Sequence, residues 1–251
     1  MRRVTLLGVL AISLLPAVVA SADARVAAGC TITGPFGSNR AQVWLLRPAG
    51  PAKSIVLFAH GWTAVEPTDW HRVRFDHLCA RGSLVVFPRY QVDASDTWQQ
   101  SVDGFRRGVQ IGFGRLPGLQ VPVVAAGFSF GGALVNYYAG HATGWGVPVP
   151  RSVLSIFPTT RVPARSAGTP SKSVRFVLLA GDRDEVVGTA GAQDFLTWLS
   201  GHPAARKTYR LIRSTAALTA SHEAPKETTP AATRAFWAPL DVLVSSERGR
   251  G

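Results

Sequence analysis

The chain has 251 residues, 46% of them hydrophobic and 17% charged. This balance excludes a disordered or fibrous chain, and the core it allows needs neither disulfides nor a metal to hold it. The formal charge is +12, but the arginines are scattered with no dense basic run, so the charge reads as a solvated surface and no nucleic-acid partner is expected.

Arg2 and Arg3 open the chain, and Val4 to Val19 is apolar apart from Thr5, Gly8, Ser13 and Pro16. Small residues follow at Val18-Val19-Ala20 and Ala22-Asp23-Ala24, so residues 1–24 read as a secretory signal cut after Ala20 or Ala24. The apolar run falls short of the roughly 20 residues a spanning helix needs, which disfavours the alternative of an uncleaved membrane anchor. The expectation is a secreted, extracellular, monomeric protein with no stable membrane insertion once the signal is removed. Residues 25–251 are then one domain. Cys30 and Cys79 either pair, stapling the mature N-terminus to a helix, or stay as two buried thiols; neither has metal-ligand spacing with a histidine.

Along the mature chain, short apolar runs alternate with longer mixed segments, the pattern of βαβ units in a mostly parallel sheet. Strands are predicted at Gln42 to Leu46, Ser54 to Ala59, Ser83 to Phe87, Val121 to Ala126, Ser152 to Phe157, Val174 to Ala180 and Thr208 to Ile212. Helices are predicted at Thr68 to Arg81, Gly131 to His141, Ala190 to Ser200 and about Pro230 to Val244, with a partly helical stretch over Ala94 to Phe113. The first is capped by Thr68 or Asp69 and stopped by Gly82. Gly140 to Pro150 and Pro158 to Ser173 read as loops, Ser245 to Gly251 as a disordered tail, and no segment is long enough for a large lid.

Val121 to Ala126 runs into Gly127-Phe128-Ser129-Phe130-Gly131-Gly132, a G-x-S-x-G turn between a strand and a helix. Such a turn forces Ser129 into a strained backbone, so its neighbours two residues away must be small, and it sets the hydroxyl at a helix N-terminus where negative charge is favoured. A serine nucleophile needs a base, and the base an orienting acid. Of the histidines that follow, His141 lies on the next helix, too local to fold back, and His202 in Gly201-His202-Pro203 reads as a surface turn. His222 falls between the last strand and the last helix and is the expected base. The loop Gly181-Asp182-Arg183-Asp184-Glu185 offers the acid: Asp184 is the choice and Asp182 the alternative, with the turn-bracing role as its other reading. The oxyanion donors are expected from the N–H of Phe130 and of Trp62, in His60-Gly61-Trp62-Thr63, with His60 bracing that loop. Phe128 is expected in the core, while Trp70 and Trp98 are open between core and acyl pocket.

This set resembles the α/β-hydrolase superfamily, and within it the dienelactone-hydrolase, chlorophyllase and cutinase-like polyester-hydrolase branches. Gly61-Trp62-Thr63-Ala64 is similar to the Gly-Tyr-Thr-Ala oxyanion loop of the polyester hydrolases, and the resemblance implies the second Asp of the Gly-x-x-Asp stretch, Asp184, as acid. The chain departs from those enzymes in carrying Phe130 where they have Met, and in lacking their late cysteine pair. The implied activity is carboxylic ester hydrolysis on small-molecule or lipid-like esters, with no cofactor and no metal; the alternative is a catalytically inactive extracellular binding protein on the same fold.

Overall fold

The computed structural model describes residues 29–249, so the expected signal segment lies outside the described residues. Its eight strands are β1 (Thr31–Phe36), β2 (Val43–Arg47), β3 (Ser54–Ala59), β4 (Ser83–Pro88), β5 (Val123–Phe128), β6 (Ser152–Ile156), β7 (Arg175–Gly181) and β8 (Lys207–Ile212). They form one sheet in the order β1-β2-β4-β3-β5-β6-β7-β8. The first two strands are antiparallel and every later pairing is parallel. The helices are α1 (Arg72–Ala80), α2 (Trp98–Gly114), α3 (Phe130–Trp145), α4 (Ala190–Trp198), α5 (Pro230–Ala232) and α6 (Ala238–Arg248), the last two joined through a π-helical turn over Thr233–Trp237.

Strands β3 to β6 are buried along their whole length because both faces are covered, as parallel sheets require. Alternate residues go to opposite sides. Ile55, Leu57, Val123 and Ala125 face α2, α3 and α4 through Phe105, Val109, Leu134 and Phe195. Val56, Phe58, Val124 and Ala126 face α1 and α6 through Phe75, Leu78, Leu240 and Leu243. From β3 the chain steps to β4 on one side, then returns to β5 on the other. That reversal opens a crevice past the C-terminal ends of β3 and β5, where ligands bind in open parallel sheets.

Several boundaries differ from the sequence expectation, each for a local reason. Helix α1 starts at Arg72 with His71 as its cap, because the Asp69 carboxylate instead accepts the Glu66 N–H in the preceding turn. Helix α3 continues to Trp145 through the expected loop, and Gly146 at φ 68° stops it. Gly140 does not break this helix but lets it approach a loop, since a Cβ there would lie 1.7 Å from the Ala167 carbonyl oxygen. Ser245 to Arg248 is helical rather than disordered, held by the Arg248 guanidinium, which bonds the hydroxyls of Ser54 and Ser83 and the Arg81 carbonyl. Strand β1 was not expected: its residues are half-exposed and interrupted by Gly34-Pro35, so they carry no apolar run. Cys30 and Cys79 form a disulfide that fastens the segment before β1 to α1.

Candidate active site

Ser129 stands between β5 and α3 at φ 57°, ψ −118°, a strained conformation for a residue with a side chain. Its N–H donates to the Ile156 carbonyl at 2.9 Å. The glycines around it are demanded by space: a Cβ on Gly127 would lie 2.2 Å from the Gly131 carbonyl oxygen, and one on Gly131 would lie 2.1 Å from the Ala59 carbonyl oxygen. Gly61, past the end of β3, brings its backbone against Ser129, where a Cβ would be 2.9 Å from the Phe128 ring.

His222 lies in the loop between β8 and α5, almost buried against the rings of Phe128 and Phe157, whose centroids are 4.9 and 6.2 Å from its own. Its Nδ1 is 2.9 Å from Asp184 Oδ2, and its Nε2 is 3.0 Å from Ser129 Oγ. An ionised carboxylate only accepts, so the proton of a neutral imidazole sits on Nδ1 and the Nε2 lone pair faces the serine hydroxyl. Asp184 Oδ1 accepts the N–H groups of Val186 and Val187, each at 3.0 Å. Burial alone would raise the Asp184 pKa, but the bond from His222, those two N–H groups and the neighbouring imidazole outweigh it and hold the carboxyl below its ordinary value. Asp182 is turned elsewhere: it accepts from the Ser214 N–H at 3.0 Å and the Ser214 hydroxyl at 2.6 Å, bracing the end of β8.

The loop after β3 is held from behind. Both ring nitrogens of His60 face carbonyls, those of Gly61 and Arg89, and the Tyr90 hydroxyl donates to the His60 carbonyl at 2.6 Å. Burial pushes the His60 pKa down to about 4 despite those two carbonyls. Tyr90 stacks on His60 and on Phe130 with centroids 3.9 and 5.7 Å apart. Thr63, at φ 68°, gives its N–H to the Gln91 side chain at 2.8 Å. The Trp62 and Phe130 rings meet with centroids 4.7 Å apart. As the first residue of α3, Phe130 has an N–H with no acceptor within its own helix.

These groups open into a cavity of about 430 Å³ whose wall includes Trp62, Trp70, Phe128, Thr160, Arg161 and Lys226. Trp70 thus lines the cavity, whereas Trp98 packs against the core on the α2 side. Phe128 serves both, 2% exposed and still part of the wall. His141 lies in α3 with Nε2 against the Ser166 carbonyl. His202 is no surface turn: it is 5% exposed and its Nε2–H donates to the Val174 carbonyl at 2.8 Å, closing the gap between the end of α4 and the start of β7. Tyr90, Gln91, Ser214 and Arg161 escaped the sequence reading. The signal available for three of them was position alone, just past the C-terminal end of a strand. Among the described residues no cluster of His, Cys, Asp and Glu is arranged to hold a metal ion, and no helix is long and apolar enough to cross a membrane.

The overall architecture also occurs in known structures. Esterase B from Lactobacillus rhamnosis superposes with a TM-score of 0.63 at 15% identity, covering 91% of this chain and 90% of that one. Its complex with a tributyrin phosphonate inhibitor gives a TM-score of 0.63 at 16% identity, with 91% of each chain covered. An esterase from the fungus Rhizomucor miehei gives 0.63 at 14% identity, over 89% of this chain and 84% of the other. The chain has the α/β-hydrolase fold. No family model and no curated protein matches the sequence, so the likeness is one of architecture. Within the α/β-hydrolase frame, Ser129 follows the strand next to β3, Asp184 the end of β7 and His222 the end of β8, and among the described residues no large lid is inserted between the strands.

Proposed function

We propose that this chain is a secreted serine hydrolase that cleaves carboxylic esters through an acyl-enzyme. The observation that carries the reading is the unbroken line from Ser129 Oγ through His222 to Asp184, opening into a cavity at the reversal of the sheet. His222 Nε2 takes the hydroxyl proton as Ser129 attacks the ester carbonyl. Asp184 holds the imidazole in the tautomer that leaves Nε2 free and stabilises the imidazolium that forms. The backbone N–H groups of Phe130 and Trp62 receive the developing oxyanion, each contributing about 3–4 kcal/mol. The imidazolium then protonates the leaving alcohol. Water, deprotonated by the same nitrogen, attacks the acyl-enzyme and frees Ser129. The reading includes export, on the strength of Arg2, Arg3 and the apolar run after them.

The test is hydrolysis of p-nitrophenyl esters from acetate to palmitate by the mature protein and by Ser129→Ala, His222→Ala, Asp184→Asn and Asp182→Asn. Activity lost by orders of magnitude in the first three and largely kept in the fourth supports the reading. A folded protein that turns over no ester, or an Asp182→Asn variant as impaired as Asp184→Asn, contradicts it.

A further inference from the structure

The charges on the cavity wall do not balance. Glu223 and Lys226 neutralise each other at 2.7 Å, which leaves Arg161. Among the described residues no carboxylate forms an ion pair with Arg161. Its guanidinium carbon lies 4.4 Å from the centroid of the Trp62 ring and 6.0 Å from that of Phe130, so one face is covered by aromatic surface. Arg161 is otherwise exposed, and stacking on a ring leaves the N–H edge of its guanidinium available for the two oxygens of a carboxylate.

The backbone that carries it is fixed to the nucleophile. Phe157 turns out of β6 at φ 50°. The Thr159 N–H then reaches the Ser129 carbonyl at 3.4 Å, and the Arg161 N–H bonds Thr159 Oγ1 at 3.2 Å. Gly191 lets α4 press on this segment, since a Cβ there would lie 1.8 Å from the Pro158 carbonyl oxygen. A cation on the wall of the cavity that holds Ser129, with no protein anion to answer it, is suited to an anion on the substrate.

We infer that Arg161 is a specificity residue for an ester bearing a free carboxylate a few bonds from the bond that is cleaved. This rests on the ester-hydrolase reading above. Two matched pairs separate the acyl from the alcohol side: the p-nitrophenyl half-ester of glutaric acid against p-nitrophenyl valerate, and 4-acetoxybenzoate against 4-acetylphenyl acetate. The wild-type protein is expected to favour the charged member of at least one pair. Arg161→Gln lowers the charged-to-neutral ratio of kcat/KM by roughly 10- to 100-fold, mainly through KM, and Arg161→Lys restores part of it. No preference in either pair, or an Arg161→Gln variant that loses both members equally, overturns the inference. If no ester is turned over at all, the ester reading falls and calorimetry decides this one. Monomethyl glutarate binds the Ser129→Ala protein and fails to bind once Arg161→Gln is added; equal heats from the two proteins overturn it.

Discussion

Cavities lie at both ends of the sheet, and the one at the N-terminal ends lacks every group that could do nucleophilic or acid–base chemistry. The space beyond the N-terminal ends of the strands, about 540 Å³, is walled by residues such as Ile55, Phe113, Val121, Trp145 and Arg151, without a serine, histidine, cysteine or carboxylate. The space at the C-terminal ends, about 430 Å³, holds Ser129 and His222. The backbone differs in the same sense. Thr63, Tyr90, Ser129 and Phe157, four of the five non-glycine residues at positive φ among those described, lie just past the C-terminal ends of β3, β4, β5 and β6. Each such conformation costs on the order of 1–3 kcal/mol and persists only where surrounding contacts enforce it. Strain and convergent polar groups distinguish the C-terminal end of the sheet.

The comparison breaks most visibly in activity. Ser129→Ala and His222→Ala are expected to lower kcat on p-nitrophenyl butyrate by roughly 10⁴- to 10⁶-fold, while Arg151→Ala at the other end changes it by no more than about 2-fold. A comparable loss from Arg151→Ala would remove the distinction between the two cavities. Stability divides along α3 in the same way. Gly131→Ala sets a Cβ 2.1 Å from the Ala59 carbonyl oxygen. Its cost is expected to reach about 3 kcal/mol or more, read as a lower urea midpoint or as failure to fold.

A smaller effect tests the brace behind the oxyanion loop. Burial lowers His60 from its ordinary 6.5 to about 4, so between those values the unfolded chain binds a proton that the native protein does not. The stability this group contributes is fully present above about pH 6.5 and is lost as the pH falls toward 4, by roughly 3 kcal/mol from the size of the shift. His60→Phe should therefore flatten the fall in urea midpoint between pH 6.5 and 4.5; an unchanged slope would mean that the imidazole is not kept neutral. The smallest effect lies at the quiet end of α3. A Cβ on Gly144 meets nothing within 4 Å, so Gly144→Ala should stabilise by about 0.5–1 kcal/mol and raise Tm by a few degrees.

Much of this architecture was legible because the signals were local. Ile55 to Ala59 and Leu84 to Phe87 are unbroken apolar runs, and the glycines at 127, 131 and 132 mark the turn at Ser129 by the space they leave. The loops that carry Asp184 and His222 could be picked out from chain order and strand ends, since a parallel sheet gathers its loops at one edge. Pairwise choices made by the fold could not be read. Asp182 and Asp184 are two residues apart, and only the position of Ser214 fixes which carboxylate turns away. His202 looks like a turn residue until Val174 lies beside it. Gly140 looks like a helix breaker until the loop carrying Ala167 presses against it. Arg161 sits in a stretch that composition marks only as loop; its place over Trp62 depends on two segments far apart in sequence.

The most direct test of the central claim is labelling with a fluorophosphonate probe followed by peptide mass spectrometry, on the mature protein and on His222→Ala. A single adduct on the peptide carrying Ser129, formed rapidly in the first protein and at least about 10³-fold more slowly in the second, is the expected result. An adduct on another serine, or labelling of Ser129 at the same rate without His222, would contradict the reading of this site as an activated nucleophile.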